Sequence, residues 1–377
     1  VTGLIQSALG GGRALLVGWI LPSLINVLVF GFVVVPNLSR FEALGAETGR
    51  AAIFGLVATA VLGLVLAALQ TPLYRVLEGY LGWPRWLIAT RRRHHLARKH
   101  LLRNRVDAVT LAGQERAGCL AAADQPVLAA LRAHPIISRH LAPDVTKGEV
   151  WFALLNERLH RYPLDDRQVA PTQLGNAIRR FEEYGYDRFR LDSQVLWHEL
   201  NAAAPDSARQ QTNDARMSVD FFISLLYGHL IVAGAAIVDL AVGTASRPWL
   251  VAVVIAGLLP LTMLWYRLAV VATDEWAGAV RAMVNLARHP LAAALGLTLP
   301  QRLEDERAMW RLASGLVDTG FRPGLSALDA YRTAPSEPSA APTSPPSRSS
   351  LPAARSSPAA PAAAADTPRS GGEPAGP

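Results

Sequence analysis

Four carboxylates, Glu182, Glu183, Asp187 and Asp192, interleave with four guanidiniums, Arg179, Arg180, Arg188 and Arg190. Carboxylates so placed can bind a cation or act as acid and base. The arginines lie near enough to neutralise them, which favours a structural helix–turn–helix over a catalytic site. Glu183 and Asp187 have i, i+4 spacing, but Gly185 is expected to break the helix between them. Six residues of the same block frame the candidate site: Pro171, Thr172, Gly175, Asn176, Asp192 and Trp197. Pro171 and Thr172 suit a helix start. Gly175 allows close approach of another helix, Asn176 can cap or bridge, and Trp197, like Tyr184, is a packing anchor.

Other residues with chemistry are scattered. His229 lies midway along an apolar run, where it is either a proton relay or a neutral imidazole bonded within the helix bundle; the packing role is favoured. His94, His95 and His100 have the chemistry of metal ligands, but six lysines and arginines from Arg91 to Arg103 would repel a cation. Cys119 is the single cysteine, so no internal disulfide is possible; its Ala-rich helix predicts a buried, inert thiol. Gly10-Gly11-Gly12-Arg13 lacks the Gly-Lys-Ser/Thr ending of a phosphate loop. His198-Glu199 has no second histidine at zincin spacing, and there is no Gly-x-Ser-x-Gly elbow. No catalytic residue, cofactor or metal is expected.

These residues need elements to hold them, and composition says which solvent those elements meet. Of 377 residues 51% are hydrophobic and only 18% charged, against roughly 25% charge in soluble domains. That balance excludes a purely soluble enzyme and an ordinary nucleic-acid-binding module. Four runs suit a bilayer core, which takes about 20 apolar residues: Ala14 to Val35, Ala51 to Leu73, Phe221 to Val238 and Trp249 to Tyr266. Pro22 and Pro260 can kink the first and fourth. The first is too long for a signal-peptide core and is read as a retained helix, with Val1 from an alternative start codon. On the second, Gly55, Thr59, Gly63 and Ala67 recur every four residues, a ridge suited to close helix packing. On the third, Asp220 and Asp239 fall at opposite interfaces.

Arginine placement orients the chain. From Arg75 to Arg105 nine basic residues face one acid, a net charge of +8, whereas Val106 to Arg216 carries thirteen basic and fifteen acidic residues. The positive-inside rule puts the segment after the second helix, and both termini, in the cytoplasm of a bacterium, with the protein in the inner membrane. Arg91, Arg92 and Arg93 are expected to lie against anionic lipid headgroups. Without interleaved aromatic residues for stacking, nucleic acid is the lesser partner for this patch.

Six regions follow: a first membrane hairpin (1–74), a basic juxtamembrane segment (75–105), a cytoplasmic helical module (106–216), a second hairpin (217–273), C-terminal cytoplasmic helices (274–332) and a Pro/Ala/Ser-rich tail (333–377). Within the module, Ala108 to Ala123, Gln125 to Ala133, Thr146 to Arg161 and Thr172 to Tyr184 read as helices. The third of these puts Val150, Leu154, Leu155 and Leu159 on one face. Asp192 or Ser193 caps another helix carrying Val195, Leu196, Trp197 and Leu200. Pro205 to Thr212 reads as a polar linker, and Asp274 to His289 and Gln301 to Val317 as separate helices. The tail holds 11 of 26 prolines and few large apolar residues, so it is expected to be disordered.

Three segments carry a resemblance. PTQLGNAIRRFEEYGYDRFRLDSQVLWHEL (Pro171 to Leu200), LYRVLEGYLG (Leu73 to Gly82) and LGLTLPQRLEDERAMW (Leu295 to Trp310) resemble blocks of uncharacterised bacterial multi-pass membrane proteins. The spacing around Tyr186-Asp187-Arg188-Phe189 departs from that pattern. The resemblance implies topology and no activity. The expected fold is all-α, with four membrane helices, a helical cytoplasmic module and a disordered tail. The expected function is a scaffold or sensor whose module binds a cytoplasmic protein or a ligand. A small oligomeric channel or transporter around His229 is the alternative, and a membrane enzyme using the Glu182 to Asp192 carboxylates comes third. A homo-oligomer is compatible with all three.

Overall fold

The structure is a computed structural model that describes residues 12–35, 48–138, 145–243 and 245–333. Among these residues it is all-α, with no strand beyond an isolated bridge between Leu297 and Arg332. Four helices are long and apolar enough to cross a membrane. After Thr333, the tail expected to be disordered lies outside the described residues.

The first membrane helix, α1, is composite: a π-helical turn (Leu16–Ile20), an α-helix (Leu21–Val29) and a second π-turn (Phe30–Val34). Pro22 sits directly after the first π-turn, where the altered ladder accommodates its missing N–H. Helix α2 (Thr48–Ala68) leads at Leu69 into α3 (Gln70–Glu78). Gly79 ends α3 at φ 88°, and Tyr80 N–H reaches back to the Arg75 carbonyl at 2.9 Å. That left-handed C-terminal turn is open to glycine at little steric cost.

The basic segment is not a separate region. Arg85 to Arg116 form one 32-residue helix, α4, launched from Pro84 and absorbing the first half of the predicted helix at Ala108. Helix α5 (Gln125–Ala133) matches its expected bounds, α6 (Pro135–Ser138) is one turn, and α7 (Val145–His160) packs on α4. On α7 only part of the expected face is covered. Leu155 is buried and Leu159 packs beside it, whereas Val150 and Leu154 remain exposed, because α4 meets α7 along a narrow line.

The block from Pro171 folds as α8 (Gln173–Glu182), α9 (Tyr184–Phe189) and α10 (Trp197–Ala203). Gly185 does not end a helix. It is buried inside α9, and Asp187 N–H bonds the Glu183 carbonyl at 2.8 Å, so these two acids are i, i+4 neighbours after all. The chain turns at Arg190, whose φ of 62° closes α9.

Two helices join membrane to module without interruption. Helix α11 (Asp206–Val242) has 37 residues and absorbs the predicted linker. Helix α12 (Pro248–Ala294) has 47 and absorbs the predicted helix at Asp274. At 1.5 Å per residue they are about 55 and 70 Å long, well beyond an apolar bilayer core of about 30 Å. The linker was misread because Pro205 begins α11 as its N-cap rather than interrupting it. Their extensions make the module's core. Met283, Val284, Ala287 and Leu291 of α12 pack with Leu174, Ile178, Leu191, Leu196 and Leu200, and with Met309 and Trp310 of α13 (Leu303–Thr319).

Inside the membrane layer only the middle of the small-residue ridge of α2 packs closely; Gly55 and Ala67 are half-buried, and a Cβ on Gly55 would meet nothing within 4 Å. Thr59 and Gly63 are buried, and a Cβ on Gly63 would come 2.5 Å from Ile20 of α1. Helix α1 in turn packs on α11, where Gly228 makes room for Asn26: a Cβ there would lie 2.0 Å from its amide nitrogen.

Candidate functional site

The site grows from a joint between α3 and α8. Thr172 caps α8 by accepting from Gly175 N–H at 3.0 Å. Asn176 is buried and triply bonded: it donates to the Ala170 and Thr172 carbonyls at 2.9 and 2.6 Å and accepts from Ala170 N–H at 2.8 Å. Pro171 closes on Gly79, where a Cβ would fall 2.3 Å from its ring, and Gly175 faces the Glu78 carbonyl, 2.7 Å from where its own Cβ would lie. The two resembling segments, Leu73 to Gly82 and Pro171 to Leu200, therefore meet each other. Asp192 holds the next turn by accepting from Gln194 and Val195 N–H. The third segment closes the core: Glu306 pairs with Arg288 and accepts from Trp310 Nε1–H.

This joint lines a groove of about 240 Å³ between α3, α8, α11 and α12. Tyr74, Phe181, Trp197 and Trp276 give it aromatic walls, and Glu78, Glu182, Arg75 and Arg216 its charge. At its membrane end Asp220 accepts from Tyr74 O–H at 2.7 Å and Gln70 Nε2–H at 2.9 Å. The Arg216 guanidinium is 4.0 Å from that carboxylate and lies over the Trp276 ring. Burial, followed by the charge of Glu182, pushes Glu78 up to about 7, because the 3.7 Å pair with Arg75 offsets only part of the desolvation. Burial also raises Glu182 against the pull of Arg179. Glu183 is pushed up to about 7 by burial and then by Asp187. The groove can thus exchange a proton near neutrality and hydrogen-bond a polar ligand against aromatic walls.

Of the residues singled out in the block, Trp197 lines this groove, while Pro171, Thr172, Gly175 and Asn176 shape its frame and Asp192 caps a turn behind it. Glu183 and Asp187 sit elsewhere on α8–α9, and Arg180 pairs with Asp187 at 3.4 Å. Sequence reasoning missed Glu78, Tyr74, Gln70, Arg216 and Trp276. Two signals pointed to them: Glu78 stands inside the resembling Leu-Glu-Gly-Tyr segment, and Asp220 is a lone acid at the mouth of an apolar run.

A larger cavity of about 580 Å³ lies on the other face of α8, against α7 and α12. Arg161 crosses it to Asp274 with bonds from Nε at 3.0 Å. Burial, then Arg180 and Arg281, push His160 down.

His229 is buried and donates from Nδ1 to the Leu225 carbonyl of its own helix at 2.9 Å, with Trp265 edge-on at 5.9 Å. Its surroundings are helix and ring. The three juxtamembrane histidines part company: His95 shares a hydrogen bond with Tyr162 at 3.2 Å, His100 reaches Asp166 at 2.7 Å, and His94 is exposed. Burial and then Arg91 push His95 down to about 4.

Arg91 and Arg93 are exposed, but Arg92 turns to the protein and donates to the Val169 and Arg167 carbonyls at 3.1 and 2.5 Å. Lys99 is buried and bonds Leu164 O and Asp166. Part of the basic surplus therefore fastens the 160–170 segment onto α4. Cys119 departs from expectation: it is exposed in the turn after α4, since the helix ends at Arg116 and Gly118 takes φ 70°. No protein-family model matches the chain, and no curated protein or solved structure is detectably similar to it.

Proposed function

We propose that the protein is a bacterial inner-membrane scaffold or sensor, of the multi-pass kind its three segments resemble, whose cytoplasmic module binds a protein or a small polar ligand. The observation that carries this reading is the continuity of α11 and α12, which run from the membrane layer into the module's core. Whatever binds the module acts on rods that end in the bilayer. The groove at Glu78 and Trp197 is the ligand site we favour, because it lies where α3 and α8 meet those rods.

A transporter reading needs His229 in a wet cavity, and the side chain is instead bonded to its own helix and packed on Trp265. The test is proton flux in proteoliposomes holding wild type or His229→Gln. The scaffold reading predicts no flux above empty vesicles for either. Flux in wild type that His229→Gln abolishes, with folding retained, contradicts it. Orientation is tested by single-cysteine labelling in intact cells, after Cys119→Ser removes the exposed native thiol. Trp249→Cys is expected to react from outside and Tyr186→Cys is not; labelling of Tyr186→Cys would reverse the topology.

A further inference from the structure

A cavity of about 400 Å³ opens between α4, α7, α8 and α12, and its charge is of one sign. Four arginines line it, Arg98, Arg158, Arg161 and Arg267, with no acid among the lining residues. Arg161 is neutralised by Asp274 and Glu157. Arg98, Arg158 and Arg267 make no ion pair within 4.0 Å among the described residues. Like charge crowds there further. Burial, and then Arg158 and Arg98, press down the proton affinity of the neighbouring Arg105, whose Nε is buried without a hydrogen-bond partner. Folding brings these cations together from three helices, against Coulomb repulsion, and gives Arg98, Arg158 and Arg267 no carboxylate partner among the described residues.

Depth points to the kind of anion this cavity suits. Arg267 is the first charged residue after the uncharged stretch from Pro248 to Tyr266 on α12. It therefore stands at the edge of the hydrocarbon layer, at headgroup level. Val270, Val271 and Leu102 give the cavity an apolar wall beside the cations, while Gln173 and Tyr162 add polar groups. A site with arginines at headgroup depth and an apolar wall matches a phosphate ester that carries acyl chains.

We propose that this cavity binds the phosphate of one anionic phospholipid, clamped by Arg98 and Arg158 from the module and Arg267 from the membrane helix. The lipid ties α4 and α7 to α12 at the membrane surface. This needs only that α12 crosses a bilayer and is independent of what the module senses.

The same phosphate chemistry is available from a soluble anion, and the experiment separates the two sources. The full chain is released from nanodiscs of equal phosphatidylglycerol and phosphatidylcholine, and retained lipid is counted by native mass spectrometry. One phosphatidylglycerol per chain is expected to persist, and 10 mM inorganic phosphate (roughly a hundredfold excess over protein) is expected not to displace it. At about fivefold per arginine, Arg98→Gln/Arg158→Gln/Arg267→Gln together weaken retention about a hundredfold. Arg302→Gln/Arg322→Gln, exposed arginines of the C-terminal segment that do not line the cavity, leaves it within about twofold. Melting temperature of each variant in detergent separates loss of lipid from loss of fold. Should the triple variant fail to fold, Arg158→Gln alone, at an exposed position, is expected to weaken retention about fivefold. Equal retention of both lipids, or loss equal in the Arg302/Arg322 control, overturns the proposal. So does displacement by inorganic phosphate, which assigns the site to a soluble anion.

Discussion

Asn176 illustrates what a single residue does in this chain. Its side-chain amide satisfies the Ala170 N–H and carbonyl that a bend at Ala170 to Thr172 would leave unmet, and adds a second donor to the Thr172 carbonyl, which already accepts from Asn176 N–H. Thr172 and Gly175 complete that bend, and the result is a close contact with α3 that places Glu182 beside Glu78. The block residues thus shape the site more than they supply its chemistry. Glu78 supplies a testable consequence. Its folded-state value of about 7 exceeds the ordinary 4.5, so across that interval the folded chain holds more protons than the unfolded one. Stability from this group is present below about pH 4.5 and is lost as pH rises through 7. Thermal unfolding in detergent should show Glu78→Gln gaining a few degrees over wild type at pH 8, on a scale of about 2–4 °C per kcal/mol, with little gain at pH 5. A uniform shift at both pH values would mean the carboxylate is not the source.

At the scale of the element, residue spacing was legible where one face is apolar and one is not. The bounds of α5, the four membrane runs and the Thr59 and Gly63 part of the α2 ridge could be read from the chain, because each depends on local pattern. Helix continuity could not. Asp206 to Thr212 and Asp274 to His289 look like separate pieces because their polarity changes at the membrane surface, yet the backbone ladder crosses that surface unbroken. Gly185 misled for a related reason: glycine lowers helix propensity, but tertiary packing inside α9 overrides it. Exposure of Cys119 was hidden by the Ala-rich sequence around it, with Ala121 to Ala123 just beyond, since the end of α4 at Arg116 and the positive φ of Gly118 appear only in the fold. The ridge carries its own prediction. Gly63 has no room for a side chain against Ile20, so Gly63→Leu should cost about 1–3 kcal/mol in unfolding from detergent. Leu64, exposed and about 100° round the helix from Gly63, should tolerate Ala with a much smaller loss. Equal losses would show that α2 packs by another face.

Across the whole molecule, three sequence segments far apart in the chain meet around the extensions of two membrane helices. That convergence explains why the candidate site was only half visible. The acids of Pro171 to Leu200 could be seen, but their partners Glu78, Arg216 and Trp276 come from elsewhere and are united only by the fold. It also gives the molecule its mechanical character. Helix α12 carries Val251 and Leu258 into the core of the membrane layer and Met283 and Leu291 into the core of the module. The module and the membrane layer therefore share one continuous helix, through which the proposed binding would reach the bilayer, and that continuity is the central claim. Pulsed EPR tests it directly, with spin labels at Val253 and Leu286, both exposed on α12. The 33 residue-to-residue steps from Val253 to Leu286, at 1.5 Å each, give a separation of about 50 Å if the helix is unbroken. A narrow distribution near that value in lipid nanodiscs is the predicted result, and a broad distribution or one centred well below 40 Å (about four-fifths of the rod length) would contradict it.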